Sequence, residues 1–173
     1  MERVSVPLSP PDTLVIRPTT AEDADAIWAI LRVVLAAGDT YAWPTAPSRE
    51  QGLALMHPPG GRTFVAELGG RVVGTYYVKP NALGPGDHVA NCGYMVAPEA
   101  RGQGVGEAMC RHSLDQARAL GFRAMQFNAV VSTNHGAIRA WQRCGFQIVG
   151  TVPAAFRHPV HGDVDIHVMH RAL

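Results

Sequence analysis

The sequence lacks the features that would direct it to a nucleic acid or a membrane. Fifteen Lys and Arg against fourteen Asp and Glu leave a formal net charge of +1, and the basic residues form no block. A nucleic acid or an anionic membrane surface is therefore unsupported as a partner. No stretch approaches the roughly 18 uncharged apolar residues of a membrane-spanning helix, and the N-terminus lacks a charged-then-apolar leader. We expect a soluble, cytoplasmic protein.

The sequence is also poor in metal-ligating patterns. An alternation of Asp and His between residues 158 and 170 places polar and apolar side chains on opposite faces of one strand, which a solvated strand face explains better than a metal site. The cysteines are odd in number and have no CxxC spacing, so we expect neither a disulfide framework nor a zinc site. They are Cys92, Cys110 and Cys144.

Length and composition favour one globular domain. The chain has 173 residues, of which 47% are hydrophobic, and this is enough for a single buried core. Residues 1–12 carry three prolines and little pattern, which predicts a flexible tail. We expect one domain over residues 13–173, without internal repeats.

The hydrophobic pattern alternates between strand and helix periods, which predicts an α/β domain. Thr19 and Glu22 match a capping box at the start of the first helix, and Gly38 is placed to end it. One face of that helix is predicted to be buried; it carries Ile27, Ile30, Leu31, Val34 and Leu35. The other expected elements are strands at 13–17, 63–68, 71–78, 88–96, 124–131, 146–156 and 163–172, and helices at 48–56, 107–120 and 136–144.

The most informative stretch is the turn Arg101-Gly-Gln-Gly-Val-Gly106. Pro98 ends the strand before it, because proline lacks the N–H that a strand ladder needs. The glycines keep side chains away from an approaching ligand, and the N–H groups and dipole of the following helix favour an anion. Arg101 adds a permanent positive charge. Together these features predict a cradle for a pyrophosphate group.

A plain strand-to-helix connection remains an alternative for such a turn. A P-loop is excluded because no Lys-Ser/Thr pair follows, and the Gly-x-Gly-x-Gly spacing differs from the dinucleotide fingerprint. The turn, which follows a Val-x-Pro strand end, resembles the acetyl-CoA signature of the GNAT acetyltransferase superfamily.

A second segment, Asn134-x-x-Ala137-x-x-x-Trp141-x-x-x-Gly145-Phe146, resembles another GNAT motif. Many members have tyrosine where this chain has Trp141, and in them the phenol is the usual candidate to protonate the leaving thiolate. An indole N–H donates a hydrogen bond but is no proton source at biological pH. We therefore expect Trp141 to pack along the cofactor while water supplies the proton.

The resemblance implies a GNAT fold, with a twisted mixed sheet of six or seven strands and about four helices. It also implies that the central parallel strands, near 88–96 and 124–131, splay apart, so that the pantetheine arm of acetyl-CoA pairs with the first of them. No metal is implied. The residues implied to bind acetyl-CoA are Met95, Val96, Arg101, Gly102, Gln103, Gly104, Val105, Gly106, Asn134, Ala137 and Trp141.

The sequence says less about the residues that bind the acceptor amine. Aromatic side chains are usually core, but the linker between the first two helices overhangs the acceptor site in GNAT proteins, so the resemblance implies that Tyr41 and Trp43 are pocket walls. Backbone N–H groups near Tyr94 are placed to stabilise charge on the thioester oxygen. Asn91 and Asn128 lie in segments similar to those of fungal-type acetyltransferases acting on azetidine-2-carboxylate and other proline analogues. By that comparison they orient a small amino acid, and together with Tyr94 they are the predicted catalytic residues. The alternative that Asn91 and Asn128 only brace the splayed strands stays open.

These observations lead to one principal hypothesis and two rivals. The principal one is an acetyl-CoA-dependent N-acetyltransferase for a small amine or amino acid. The rivals are a non-catalytic acyl-CoA-binding module and an enzyme that acetylates a peptide or protein N-terminus. A homodimer is left open.

Overall fold

A mixed seven-stranded sheet with four helices organises residues 13–173, which are the residues that the computed structural model describes. The predicted tail, residues 1–12, lies outside them. The strands are β1 (Leu14–Pro18), β2 (Arg62–Leu68), β3 (Arg71–Pro80), β4 (Val89–Val96), β5 (Ala124–Val131), β6 (Gln147–His158) and β7 (Gly162–Ala172). The helices are α1 (Ala24–Ala37), α2 (Arg49–Met56), α3 (Val105–Ala119) and α4 (His135–Arg143).

The sheet divides between its two central strands. Its order is β1-β2-β3-β4-β5-β7-β6, and β4 and β5 form its parallel pair while the other neighbours are antiparallel. Within the described chain, β4 and β5 pair at two positions, Val89 with Ala124 and Ala90 with Met125. Beyond these positions the strands diverge. The splay that the resemblance implied is therefore present.

The two faces of the sheet carry different helices. The Tyr76 hydroxyl bonds to His112 of α3 at 2.7 Å, whereas the ring of the next residue, Tyr77, stacks on Trp43 beyond α1 with 6.4 Å between ring centroids. Adjacent strand residues point to opposite faces, so α3 lies on one face and the segment after α1 on the other. The predicted stripe of α1 is buried.

The predicted capping box is displaced by one residue. Asp23, rather than Glu22, accepts from the backbone N–H of Thr20 at 2.7 Å, in a short 3-10 turn that leads into α1. Asp23 is buried and takes two further hydrogen bonds from Arg17, both at 2.8 Å, while Glu22 is exposed. A tertiary partner on β1 therefore decides between two carboxylates that both have plausible local spacing.

The three cysteines are free and buried. In residues 13–173, no three His, Cys, Asp or Glu side chains group closely enough to hold a metal ion. Over the same range, no helix is long and apolar enough to cross a membrane.

The Arg17–Asp23 pair is expected to contribute to stability in a pH-dependent way. Hydrogen bonds from the Arg17 guanidinium hold the pKa of Asp23 down to about 2, against an ordinary value of 3.8. Since the folded-state pKa is the lower one, the contribution is complete above about pH 4 and is lost as pH falls towards 2. Allowing for the partly exposed Arg17, we expect Asp23→Asn to lower the free energy of unfolding by about 1–2 kcal/mol at pH 7.

Urea denaturation from pH 7 down to pH 3 measures this loss, and the gap between the two proteins should narrow below pH 4. Asp25→Asn is the matched control, because Asp25 lies only two residues further on, in the first turn of α1, and its ion pair with Arg49 is exposed. We expect it to cost less than about 0.5 kcal/mol. Equal losses in the two variants would contradict the interpretation.

Candidate active site

The divergence of β4 and β5 opens a cavity of about 1110 Å³. The loop after α1, the turn before α3, helix α4 and the tip of the β6–β7 hairpin complete its wall. Of the residues predicted for the site, Gln103 lies outside the lining: its amide donates to the Glu99 carbonyl at 3.0 Å and faces solvent. The others line the cavity: Tyr41, Trp43, Asn91, Tyr94, Met95, Val96, Arg101, Gly102, Gly104, Val105, Gly106, Asn128, Asn134, Ala137 and Trp141.

The backbone of β4 supplies polar groups to this cavity. The His88 carbonyl accepts from Arg123 on the β5 side at 2.9 Å, while the Ala97 N–H bonds to the Val73 carbonyl on β3 at 2.8 Å. Backbone groups alternate in direction along a strand, so the even-numbered residues of β4 face β5. We call the point after Ala90 and Met125, where β4 and β5 separate, the fork. Past the fork, the N–H and C=O groups of Cys92, Tyr94 and Val96 therefore face the cavity. Such an edge can pair with an extended ligand that carries amide groups.

The glycine turn has the geometry of an anion cradle. Gly102 and Gly104 have φ angles of +75° and +80°, a left-handed conformation that glycine adopts without strain. A Cβ atom built at either position would have no heavy atom within 4 Å and would project into open space. Helix α3 begins at the next residue, Val105, so its first N–H groups point to the same place. The turn therefore fits a pyrophosphate group.

The start of α4 forms the opposite wall. The Asn134 side chain caps this helix by accepting from the Ala137 N–H at 3.2 Å. The indole of Trp141 packs against the rings of Tyr94 and Phe127, with centroid distances of 4.8 and 5.5 Å. These contacts give Trp141 a packing role within the protein, and its packing along the cofactor stays a prediction.

Tyr94 offers the cavity its backbone and not its phenol. Its hydroxyl and that of Ser113 on α3 are hydrogen-bonded at 2.6 Å, and burial raises the pKa of the Tyr94 phenol well above its usual range. Its carbonyl oxygen accepts from the Tyr41 hydroxyl at 2.5 Å, across the fork. Of the three residues predicted to be catalytic, Tyr94 can thus act through its main chain.

Tyr41 and Trp43 stack on each other with 4.7 Å between ring centroids, and Trp43 stacks in turn on Tyr77. These three rings form an aromatic wall at the end of the cavity that is predicted to hold the acceptor, which we term the acceptor end. Burial raises the pKa of Tyr41 above its ordinary value, so its hydroxyl stays protonated and is a hydrogen-bond donor. The rings pack on one another and also line the cavity, and their contact with a substrate stays a prediction.

The two predicted asparagines differ in their surroundings. Asn91 is buried and donates to the Gln126 carbonyl of β5 at 3.0 Å, so it ties the two strands together where they separate. Asn128 is exposed, donates to Asn81 at 2.7 Å and accepts from the Gln126 amide at 2.9 Å. Both line the cavity. Asn91 already has a bracing contact, while the bonds of Asn128 are exposed and open to exchange.

Sequence reasoning missed several cavity residues: Asp39, Thr40, Lys79, Arg139, His158 and His161. Asp39 and Thr40 directly precede Tyr41, in the loop whose aromatic residues are predicted to be pocket walls. Their position in the sequence could therefore have identified them. Lys79 pairs with Asn91 in the β3–β4 register, which the predicted strands suggest. The two histidines come from the β6–β7 hairpin, and no local signal places that hairpin at the fork.

Comparison with known proteins agrees with this geometry. A family model described as the acetyltransferase (GNAT) family matches residues 27–146. A solved GCN5-related N-acetyltransferase from Kribbella flavida is 48% identical, with a TM-score of 0.89 over 92% of this chain and 98% of that one. A phosphinothricin acetyltransferase from Sinorhizobium meliloti, solved in complex with AcCoA, is 26% identical, with a TM-score of 0.81 over 93% and 89%.

Among curated proteins, N-acetyltransferase aca1 of Schizosaccharomyces pombe is 36% identical over 98 residues. That match covers 56% of this chain and 47% of the relative. The chain thus matches about half the length of this curated relative.

The cradle can be tested by placing a negative charge in it. Gly102→Asp should lower the affinity for acetyl-CoA at least tenfold, about 1.4 kcal/mol, because a carboxylate would repel the pyrophosphate and fill its space. Gly70→Asp is the matched control: Gly70 has the same φ of +75° and the same open surroundings, but lies in the β2–β3 turn away from the cavity. Calorimetric titration compares the two, and equal affinities would remove the cradle assignment.

Proposed function

The chain belongs to the acetyltransferase (GNAT) family, and from that membership we propose that it transfers the acetyl group of acetyl-CoA to an amine of a small molecule or amino acid. The observation that carries the proposal is the fork, where the cavity-facing edge of β4 runs directly into the glycine cradle. A ligand with a pyrophosphate at one end and amide groups along an extended arm matches both parts. Acetyl-CoA has that form and supplies a thioester open to attack by an amine.

Residues at different positions in the cavity bind different parts of acetyl-CoA. Arg101 and the turn from Gly102 to Gly106 hold the pyrophosphate. Asn134 and Ala137, at the start of α4, border the pantetheine arm. The backbone of Cys92, Tyr94 and Val96 pairs with the arm. An N–H of this strand edge also donates to the thioester oxygen as negative charge develops on it, since preorganised donors stabilise such charge strongly.

Proton transfer uses neither Trp141 nor the phenol of Tyr94. The indole N–H does not ionise at biological pH, and the Tyr94 hydroxyl is bonded to Ser113 on the far face of the strand. Tyr41 donates to the Tyr94 carbonyl, which has two lone pairs and can accept from an amide of the arm at the same time. The proton that the leaving sulfur needs therefore comes from water.

A small acceptor is favoured over a peptide by the wall around the acceptor end. The stacked Tyr41 and Trp43 cover one side, and the hairpin residues His158 and His161 also belong to the cavity lining. Such a walled end suits an acceptor small enough to sit between these side chains. An extended chain needs an open groove.

The proposal is tested by incubating the purified protein with acetyl-CoA and a panel of small amines, amino acids and short peptides. Release of free CoA is followed by a thiol reagent, and the acetylated product is identified by mass spectrometry. Release that depends on a small amine supports the proposal. If free CoA is released only with peptides, the acceptor is a peptide N-terminus instead. Tight binding of acetyl-CoA without release under any condition indicates a non-catalytic module.

A packing role for Trp141 makes a further prediction. Trp141→Phe should keep kcat within about threefold, because the smaller ring still covers Tyr94 and Phe127. Trp141→Ala should lower the free energy of unfolding by about 1–3 kcal/mol and weaken acetyl-CoA binding, since it leaves a gap in a half-buried wall. Melting temperature, acetyl-CoA affinity and kcat are measured on each variant.

Trp28→Ala is the matched control, because Trp28 packs against α2 outside the cavity. It should lose stability without loss of cofactor affinity. The packing role fails if Trp141→Phe abolishes turnover while its melting temperature and cofactor affinity are unchanged.

A further inference from the structure

We infer that the acceptor is a free α-amino acid, whose amino group binds Asp39 and whose carboxylate binds Lys79. The inference rests on the proposed acetyltransferase function, narrows its acceptor to a free amino acid, and adds two charged residues to the predicted Asn91 and Asn128. Both residues line the cavity at its acceptor end.

The Asp39 carboxylate has a buried oxygen atom without a hydrogen-bond partner in residues 13–173. Its Oδ1 atom and the Oγ1 atom of Thr40 are buried without a hydrogen-bond partner, and they are the two such side-chain atoms in residues 13–173. A buried polar atom without a partner is destabilising, and native structures contain few of them. Because Asp39 and Thr40 both line the cavity, two orphaned oxygen atoms in consecutive residues indicate a ligand that donates hydrogen bonds, as an amino group does.

Lys79 supplies the opposite charge. It is the single lysine in the chain and lies on β3 directly opposite Asn91 of β4. Alternation along β3 places it on the same face as Tyr77, whose ring stacks on Trp43 of the loop that also carries Asp39. Lys79 and Asp39 are thus brought to one cavity from the sheet and from the loop above it.

These two charges do not neutralise each other. Eight ion pairs form within residues 13–173, and neither Asp39 nor Lys79 belongs to any of them. A negative and a positive group that share a cavity without pairing are complementary to a ligand with one charge of each sign. A free α-amino acid has an ammonium and a carboxylate, whereas a residue at a peptide N-terminus has no carboxylate on its α-carbon.

Asp39 also provides a route for the protons that the acceptor must lose. An ammonium is unreactive until it loses a proton, and a carboxylate that only bound it would favour the protonated form. The ammonium gives one proton to Asp39, which passes it to solvent, and the nitrogen lone pair then attacks the acetyl carbon. A second proton leaves by the same route as the C–N bond forms and the C–S bond breaks. Water protonates the departing sulfur, so one proton is released overall.

The first test removes the negative charge and retains the shape. Asp39→Asn should lower kcat/KM for the best amino acid by at least tenfold and leave acetyl-CoA affinity within twofold. Asp115→Asn is the matched control, because Asp115 is an exposed carboxylate on α3 whose ion pair with Arg118 lies outside the cavity. It should change neither quantity. An Asp39→Asn variant with full kcat/KM, or one that loses acetyl-CoA affinity instead, would overturn the assignment of Asp39.

The second test uses the acceptor's own carboxylate. Each of the common L-amino acids is compared with its carboxamide, which keeps the amino group and removes the negative charge. The natural protein should prefer the best amino acid over its amide at least tenfold, and Lys79→Met should bring that ratio close to one. Lys79→Arg should restore part of it. An equal rate with acid and amide in the natural protein would refute the role of Lys79.

Failure of this inference can be told from failure of the proposed function. If amines without a carboxylate are acetylated as well as amino acids, the enzyme assignment stands and the amino-acid inference falls. If no acceptor is acetylated, calorimetry with the protein saturated with free CoA decides. If the natural protein binds an amino acid and Asp39→Asn does not, the assignment of the acceptor site stands. If the natural protein binds no amino acid, that assignment is wrong. Intact mass reports whether Lys79 has taken the acetyl group itself, which would also overturn its role as a binding residue.

Discussion

The constraint on which the rest of the structure depends is the early separation of β4 from β5. Two parallel strands in the middle of a sheet normally satisfy each other's backbone groups, and buried N–H and C=O groups without partners are costly. In this chain the strands part after Ala90 and leave the polar edge of β4 facing a cavity. The sheet thus maintains, at its centre, a site that a ligand with amide groups can complete.

The surroundings of the fork keep it open without unfolding the sheet. Asn91 bridges to the Gln126 carbonyl at the point of separation, and the Tyr41 hydroxyl meets the carbonyl of Tyr94 further along. On the far face, the phenol of Tyr94 bonds to Ser113 and anchors β4 to α3. The strand is therefore rigid on one face while its edge and its other face are available for binding and chemistry.

The fork also separates two kinds of recognition. The end near α3 has positive φ glycines and helix N–H groups, which suit the phosphates of a large and invariant co-substrate. The end beneath the loop after α1 has aromatic rings and two opposite charges, which suit a small and specific acceptor. Because the end of β4 near Tyr94 lies between them, one strand edge can bring the two together. Changes in the loop could alter the acceptor without disturbing the cradle.

The sequence by itself determined what depends on neighbouring residues along the chain. Strand and helix periods, the glycine turn before α3 and the end of α1 at Gly38 follow from local chemistry, and motif resemblance extended them to the splay. Only the tertiary structure decided which groups meet across the chain. Arg17 selected Asp23 as the cap, Gln103 turned away from the site, and Asp39 and Lys79 came to share one cavity. Local spacing carries no information about such encounters, because sheet order and packing bring them together over tens of residues.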